Sequence, residues 1–203
     1  FSSLRVLSQH HLYETHREKA KVIFDGSGGD EISAGYGYQK IALYLDSLGL
    51  KNLNKEMCIK ILKKKKDINV NKYVLGSLNR IYDIGGSTSD GSNYYDKSLI
   101  NKDFLKIGNK NFAITKPFKS ILRNTQYADI YYFKLPRSLK YTDLASMRQS
   151  VETRLPLLDH KLVEKCIEMP NKYKIIERNQ RVIFKNFIKK KFKNYKIENK
   201  KSI

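Results

Sequence analysis

Asp25, Asp30 and Glu31 stand around a tight cluster of glycines, Gly26, Gly28 and Gly29, with Ser27 among them. Glycine admits φ > 0 and lets a ligand come close to the main chain. Backbone amides in such a turn suit phosphate oxygens, and a carboxylate directly after it suits the magnesium that travels with them. The same shape also describes a plain turn whose Asp-Glu pair caps and charges the start of a helix. Spacing alone leaves both readings open.

The elements that must position this loop can be read on either side of it. Val22, Ile23 and Phe24 form an apolar run too short for a helix and suited to a buried strand. Before them, Leu4, Leu7, Leu12 and Tyr13 predict a helix over 2–19, with Ser2 or Ser3 as N-cap. A helix feeding a buried strand suits a parallel sheet covered on both faces, whose ligands bind beyond the carboxyl ends of the strands. Residues 25–30 would lie there, and a new segment begins at Ile32. Tyr38, Ile41, Leu45 and Leu48 predict a helix over 37–50, closed by Gly49. Shorter helices are expected over 53–65, ending in a lysine run, and over 73–84. The segment from Gly85 to Asn93 has the composition of a flexible surface loop. Residues 101–119 show no clear period, and Pro117 ends whatever precedes it. Tyr127, Ile130, Tyr131 and Leu135 share a stripe that predicts a helix over 122–135, aromatic in the manner of a core.

A second constellation runs from Leu135 to Glu164. Asp143 is expected to cap a helix starting near Leu144. Glu152 and Arg154, two apart, do not face each other on a helix and are expected to find partners elsewhere. Pro156 ends that segment and Asp159 caps the next, whose apolar face is Leu162, Val163, Cys166 and Ile167.

Composition narrows the class. The 203 residues carry forty Lys and Arg against twenty Asp and Glu, a formal net charge of +20. The excess is mainly Lys, spread along the chain among many Asn and Ile, which reads as solvated surface. A nucleic-acid interface would favour Arg and interleaved aromatics. No run of about twenty apolar residues marks a membrane span, and no signal peptide opens the chain. The expectation is a cytoplasmic protein that binds neither nucleic acid nor membrane. Cys58 and Cys166 read as small buried hydrophobes of a reducing compartment, and no spacing of Cys and His marks a zinc site. The absence of an initiating Met suggests residues upstream of Phe1.

The wording from Asp25 to Tyr36, Asp-Gly-Ser-Gly-Gly-Asp-Glu-Ile-Ser-Ala-Gly-Tyr, resembles the second nucleotide-site loop of the asparagine synthetase family. There a strand ends in Ser/Asp-Gly-Gln/Glu-Gly-x-Asp-Glu-x-x-x-Gly-Tyr. The second constellation is similar to the same family's Leu-Pro-x-x-Leu-x-x-x-Asp-x-x-Ser-Met, followed by Glu-x-Arg-x-Pro-Phe-Leu-Asp and a helix of the type His-x-Leu-Val-Glu. Asp143, Ser146, Met147, Glu152, Arg154, Pro156, Leu158, Asp159, Leu162, Val163 and Glu164 match in order. The resemblance covers about the whole chain and is weakest over 50–122. It implies an α/β fold, mostly helical in this portion, forming the C-terminal part of a doubly wound, adenine-nucleotide-hydrolase-like (PP-loop) synthetase domain. Its parts would be a nucleotide-site segment (1–48), a helical insertion with the flexible loop 85–93 (49–122) and a C-terminal helical part (123–203).

The resemblance also implies chemistry: ATP and Mg²⁺ adenylate a carboxylate, aspartate or similar, and ammonia from glutamine then attacks the acyl-adenylate. Asp30 would be the magnesium and pyrophosphate ligand, Asp25 and Gly26 would line the adenylate within the loop Asp25, Gly26, Ser27, Gly28 and Gly29, and Lys200 or Lys201 would neutralise phosphate. A glutaminase domain is expected upstream or in trans. Ser27 departs from the family's Gln or Glu, Leu144 from its common Arg, and no Ser-Gly-Gly-x-Asp-Ser loop occurs in the chain. These departures point to the C-terminal portion of a longer enzyme. They also keep two variants in view: an amidotransferase acting on a sugar carboxylate of a surface polysaccharide, and an inactive remnant of the fold.

Overall fold

The structure, a computed structural model, describes residues 4–49, 53–64, 70–82, 101, 103, 115–176 and 179–194. The expected flexible loop 85–93, the possible caps Ser2 and Ser3, and both Lys200 and Lys201 lie outside the described residues. Among those that are described, no helix is long and apolar enough to cross a membrane.

The chain forms two compact units, one from residues up to Tyr36 together with those from Gln126 onward, the other from Gly37 to Thr125. In the first unit, α1 (Leu4–His16) precedes β1 (Val22–Phe24), which pairs in parallel with β2 (Glu152–Arg154). Val22 lies opposite Glu152, Ile23 opposite Thr153 and Phe24 opposite Arg154. The ladder runs on at both ends, through Glu152 N donating to Lys21 O at 2.8 Å and Asp25 N to Arg154 O at 2.9 Å. Ile23 packs on the cluster of Tyr13, Ala145 and Val151 beneath the ribbon.

The strand is therefore present but not buried as expected. Phe24 is 72% exposed, because among the described residues only one face of the ribbon is covered. Nor do Glu152 and Arg154 look elsewhere: Arg154 Nε donates to Glu152 Oε1 at 2.7 Å. They stand on a strand, where side chains two apart share a face, so the helical spacing rule did not apply. Asp143 likewise caps nothing; it lies inside a helix (Lys134–Met147) that begins much earlier, where Pro136 is tolerated in the first turn. The expected helix over 122–135 is two helices. The first (Ile121–Tyr131) ends before Leu135, which belongs to the second, and Tyr131 is exposed instead of completing a core stripe.

Downstream, a 3₁₀ turn (Pro156–Leu158) leads to a helix (His160–Glu168) whose N-cap is Asp159, its Oδ1 accepting from Leu162 N at 3.1 Å. A short helix (Asn171–Lys174) runs into β3 (Ile175–Ile176), which pairs antiparallel with β4 (Asn179–Gln180), and a final helix spans Val182–Lys191.

The described part of the second unit is mainly helical. Three helices, Gly37–Ser47, Lys55–Lys63 and Lys72–Tyr82, bury Leu45, Cys58, Leu62, Val74 and Leu78. Asn54 and Asn71 cap two of them, accepting from Met57 N at 2.8 Å and Val74 N at 3.1 Å. Asp46 takes Ser120 Oγ and Ile121 N, each at 2.6 Å, and so closes the start of the helix at Ile121. Both cysteines are buried and unbridged.

Candidate functional site

The loop after β1 brings the two constellations together. Gly28 sits at φ +93°, and a Cβ there would run into the side chain of Leu158; one on Gly29 would come within 3.0 Å of Leu157. The Pro-Leu-Leu turn is thus the seat of the glycine loop, and two of its glycines are required by packing and by a left-handed backbone. Gly26 differs, since a Cβ added to it would meet nothing within 4 Å. It marks the open side of the loop. Two loop amides are engaged internally: Ser27 N donates to Asp25 Oδ1 at 2.6 Å, and Gly29 N to Gly26 O at 3.3 Å. The Asp25 carboxylate therefore shapes the turn itself.

A one-and-a-half-turn helix, Gly29–Ser33, follows at once, so Asp30 and Glu31 are its first-turn acids and Ile32 lies within it instead of opening a new segment. The acidic pair then parts. Glu31 is buried and accepts from the Tyr36 hydroxyl at 2.6 Å. Burial, then the Glu31 hydrogen bond, hold the Tyr36 phenol well above the ordinary tyrosine range. Asp30 instead keeps its side chain about one-third exposed, with Arg181 Nη1 3.2 Å from its Oδ1. That contact is an ion pair without hydrogen-bond alignment, and Asp30 Oδ1 is a buried oxygen with no hydrogen-bond donor.

Arg181 was not marked in the sequence as a site residue. It follows β4 at φ +57°, a left-handed conformation unusual for a residue with a Cβ, and caps the helix that begins at Val182. Nothing local in the sequence announces the contact, because Asp30 and Arg181 meet only through the tertiary fold. Of the residues expected to form the site, Asp25, Gly26, Ser27 and Gly28 form the loop and Gly29 and Asp30 open the helix that follows it, while Lys201 lies outside the described residues. A shallow apolar cleft nearby is lined by Ile32, Cys166, Val182 and Phe184 among others, and Asp30 does not line it.

Among the described residues, no group of three or more His, Cys, Asp or Glu could cage a metal. The Asp30 carboxylate, about one-third exposed, fits magnesium of the kind held chiefly by phosphates, which needs one or two carboxylates from the protein.

A family model described as asparagine synthase matches residues 2–202. No curated protein and no solved structure matches the chain. With that match running over nearly all its length, the chain belongs to the asparagine synthase family, a family of ATP-dependent ligases.

Proposed function

We propose that this chain is the C-terminal portion of an amidotransferase that activates a small carboxylate, aspartate or similar, with ATP and converts it to the amide with ammonia from glutamine. The observation that carries this reading is Asp30: a carboxylate just beyond the end of a parallel strand, partly open, with one oxygen lacking a hydrogen-bond donor and facing a guanidinium. In this reading β1 and β2 belong to a doubly wound PP-loop sheet, and a glutaminase domain, upstream or in trans, supplies the ammonia.

The chemistry requires a leaving group. The acceptor carboxylate attacks the α-phosphorus of ATP and expels pyrophosphate, leaving an acyl-adenylate; ammonia then attacks the acyl carbon and expels AMP. Magnesium, when bound with the nucleotide, neutralises the developing charge on pyrophosphate. Asp30 would hold that ion on the protein side. Arg181 shares the same leaving group, and Lys201 adds a further cation. Asp25 and Gly26 border the adenylate on the open side of the loop, and Ser27, Gly28 and Gly29 shape that border. Ser27 contributes a hydroxyl where a carboxylate would offer a base, so proton removal from ammonia falls to another group or to solvent.

The direct test is release of AMP and pyrophosphate by the intact enzyme, given glutamine and a panel of small carboxylates. Asp30→Asn should lower that release by about a hundredfold or more while its melting temperature stays at the wild-type value. An active Asp30→Asn enzyme would refute the metal role.

A further inference from the structure

Gln180 ends the short β3–β4 hairpin and reaches the turn that leaves the acidic helix. Its Nε2 donates to Ala34 O at 3.1 Å and to Tyr36 O at 2.5 Å. Two carbonyl acceptors fix the orientation of the amide, since only the NH₂ end can serve both. Between them lies Gly35. A Cβ on Gly35 would overlap the Asp30 carboxylate, so this turn is pressed directly against that side chain. Gly35 N also donates back to Asp30 O at 2.8 Å, and Ala34 holds a left-handed φ of +58°. An L-residue keeps that conformation when neighbouring contacts hold it there.

The other end of the hairpin is also anchored. Lys174, buried just before β3, donates through Nζ to Gln126 Oε1 at 2.8 Å and to Ile167 O at 3.0 Å. Gln126 Nε2 in turn donates to Glu31 O at 3.0 Å and Ile32 O at 2.9 Å. Directly after Gln180 comes Arg181, whose guanidinium meets Asp30.

The geometry points to Gln180 as the positioning residue of the Asp30 site. It holds the 34–36 turn against the Asp30 carboxylate and, through its own backbone, delivers Arg181 to the same oxygen. This rests on the reading of Asp30 as the carboxylate that meets magnesium nucleotide. Without the amide donors the turn is freed and Asp30 can leave its seat, whereas Lys174 and Gln126 still hold the hairpin to the helix. The loss therefore appears in metal-dependent nucleotide binding before it appears in folding.

The experiment titrates Mg²⁺ at fixed ATP and follows nucleotide binding calorimetrically in the intact protein, with thermal melts of the ligand-free forms alongside. Gln180→Met keeps the length of the side chain without donors, Gln180→Lys keeps donors at similar reach, and Gln180→Glu sets oxygens against the two carbonyls. The Mg²⁺ midpoint should rise about tenfold in Gln180→Met, rise further in Gln180→Glu, and return to within about twofold of wild type in Gln180→Lys. A Gln180→Met protein with the wild-type midpoint overturns the inference, as does a Gln180→Lys protein weakened as much as the other two. Should Gln180→Met not fold, Gln180→Lys against Gln180→Glu decides in the same way. Wild type and Asp30→Asn run as controls. If wild type shows no Mg²⁺-dependent binding, or Asp30→Asn equals it, the reading of the site itself fails; if both behave as expected and only Gln180 is indifferent, the positioning role alone falls.

Discussion

Three glycines near one loop are there for different reasons, and substitution separates them. Gly28 needs both its left-handed backbone and the space that Leu158 fills, so Gly28→Ala should destabilise the fold by about 2–4 kcal/mol, read as a shift in the urea midpoint. Gly35 is kept small by the Asp30 carboxylate. Gly26 faces open space, and Gly26→Ala should leave the urea midpoint unchanged. If nucleotide approaches the main chain there, the same substitution weakens ATP binding about tenfold or more; unaltered binding would remove Gly26 from the adenylate border. The two adjacent acids divide similarly, Glu31 to the interior and Asp30 to a partly exposed position facing Arg181. Their chemistry is identical, and the helix rotation between successive residues is what assigns them different work.

At the level of elements, the helix Gly29–Ser33 is too short to persist alone and depends on what grips it. Gln126 is the central grip, with one amide serving two helix carbonyls and accepting from Lys174. Gln126→Leu should cost about 2–4 kcal/mol, because it strips buried groups of a partner without replacing it. A urea titration that finds less than half of this would mean water takes over the role. Elements whose ends are set by a neighbouring residue were readable from the sequence: Asp159 capping His160–Glu168, and the helix Gly37–Ser47, followed by Gly49 at a left-handed φ. What escaped was decided at a distance. The ion pair of Glu152 and Arg154 depends on their lying in a strand, and that strand exists only because Val22–Phe24 pairs with it. The aromatic stripe from Tyr127 to Leu135 is continuous in spacing, yet the chain leaves the helix at Tyr132 and Phe133. Arg181 owes its place to a hairpin of two-residue strands that no periodicity marks.

For the molecule as a whole, each unit contains a tyrosine whose hydroxyl is raised well above its ordinary range. Burial leads in both, followed by Glu31 for Tyr36 and by the Cys58 hydrogen bond for Tyr82. The sign of the linkage follows. The unfolded chain releases these protons near pH 10 whereas the folded one retains them, so stability is full below about pH 10 and falls as pH rises beyond it. Urea midpoints measured from pH 7 to 11 should decline at the alkaline end, and less steeply in a Tyr36→Phe, Tyr82→Phe double variant. Equal slopes would remove both tyrosines from the effect. The net charge of +20 comes mainly from lysine and is compatible with small anionic substrates.

The pairing of Val22–Phe24 with Glu152–Arg154 joins segments about 130 residues apart, with the whole second unit threaded between them. Closing so long a loop is entropically slow. During synthesis, the glycine turn emerges long before Leu158 and Arg181 exist to receive it. Competence should therefore arrive late and all at once: a ribosome-bound chain stalled short of residue 158 would show a protease-sensitive acidic loop, and protection would appear only after the hairpin bearing Gln180 has left the exit tunnel.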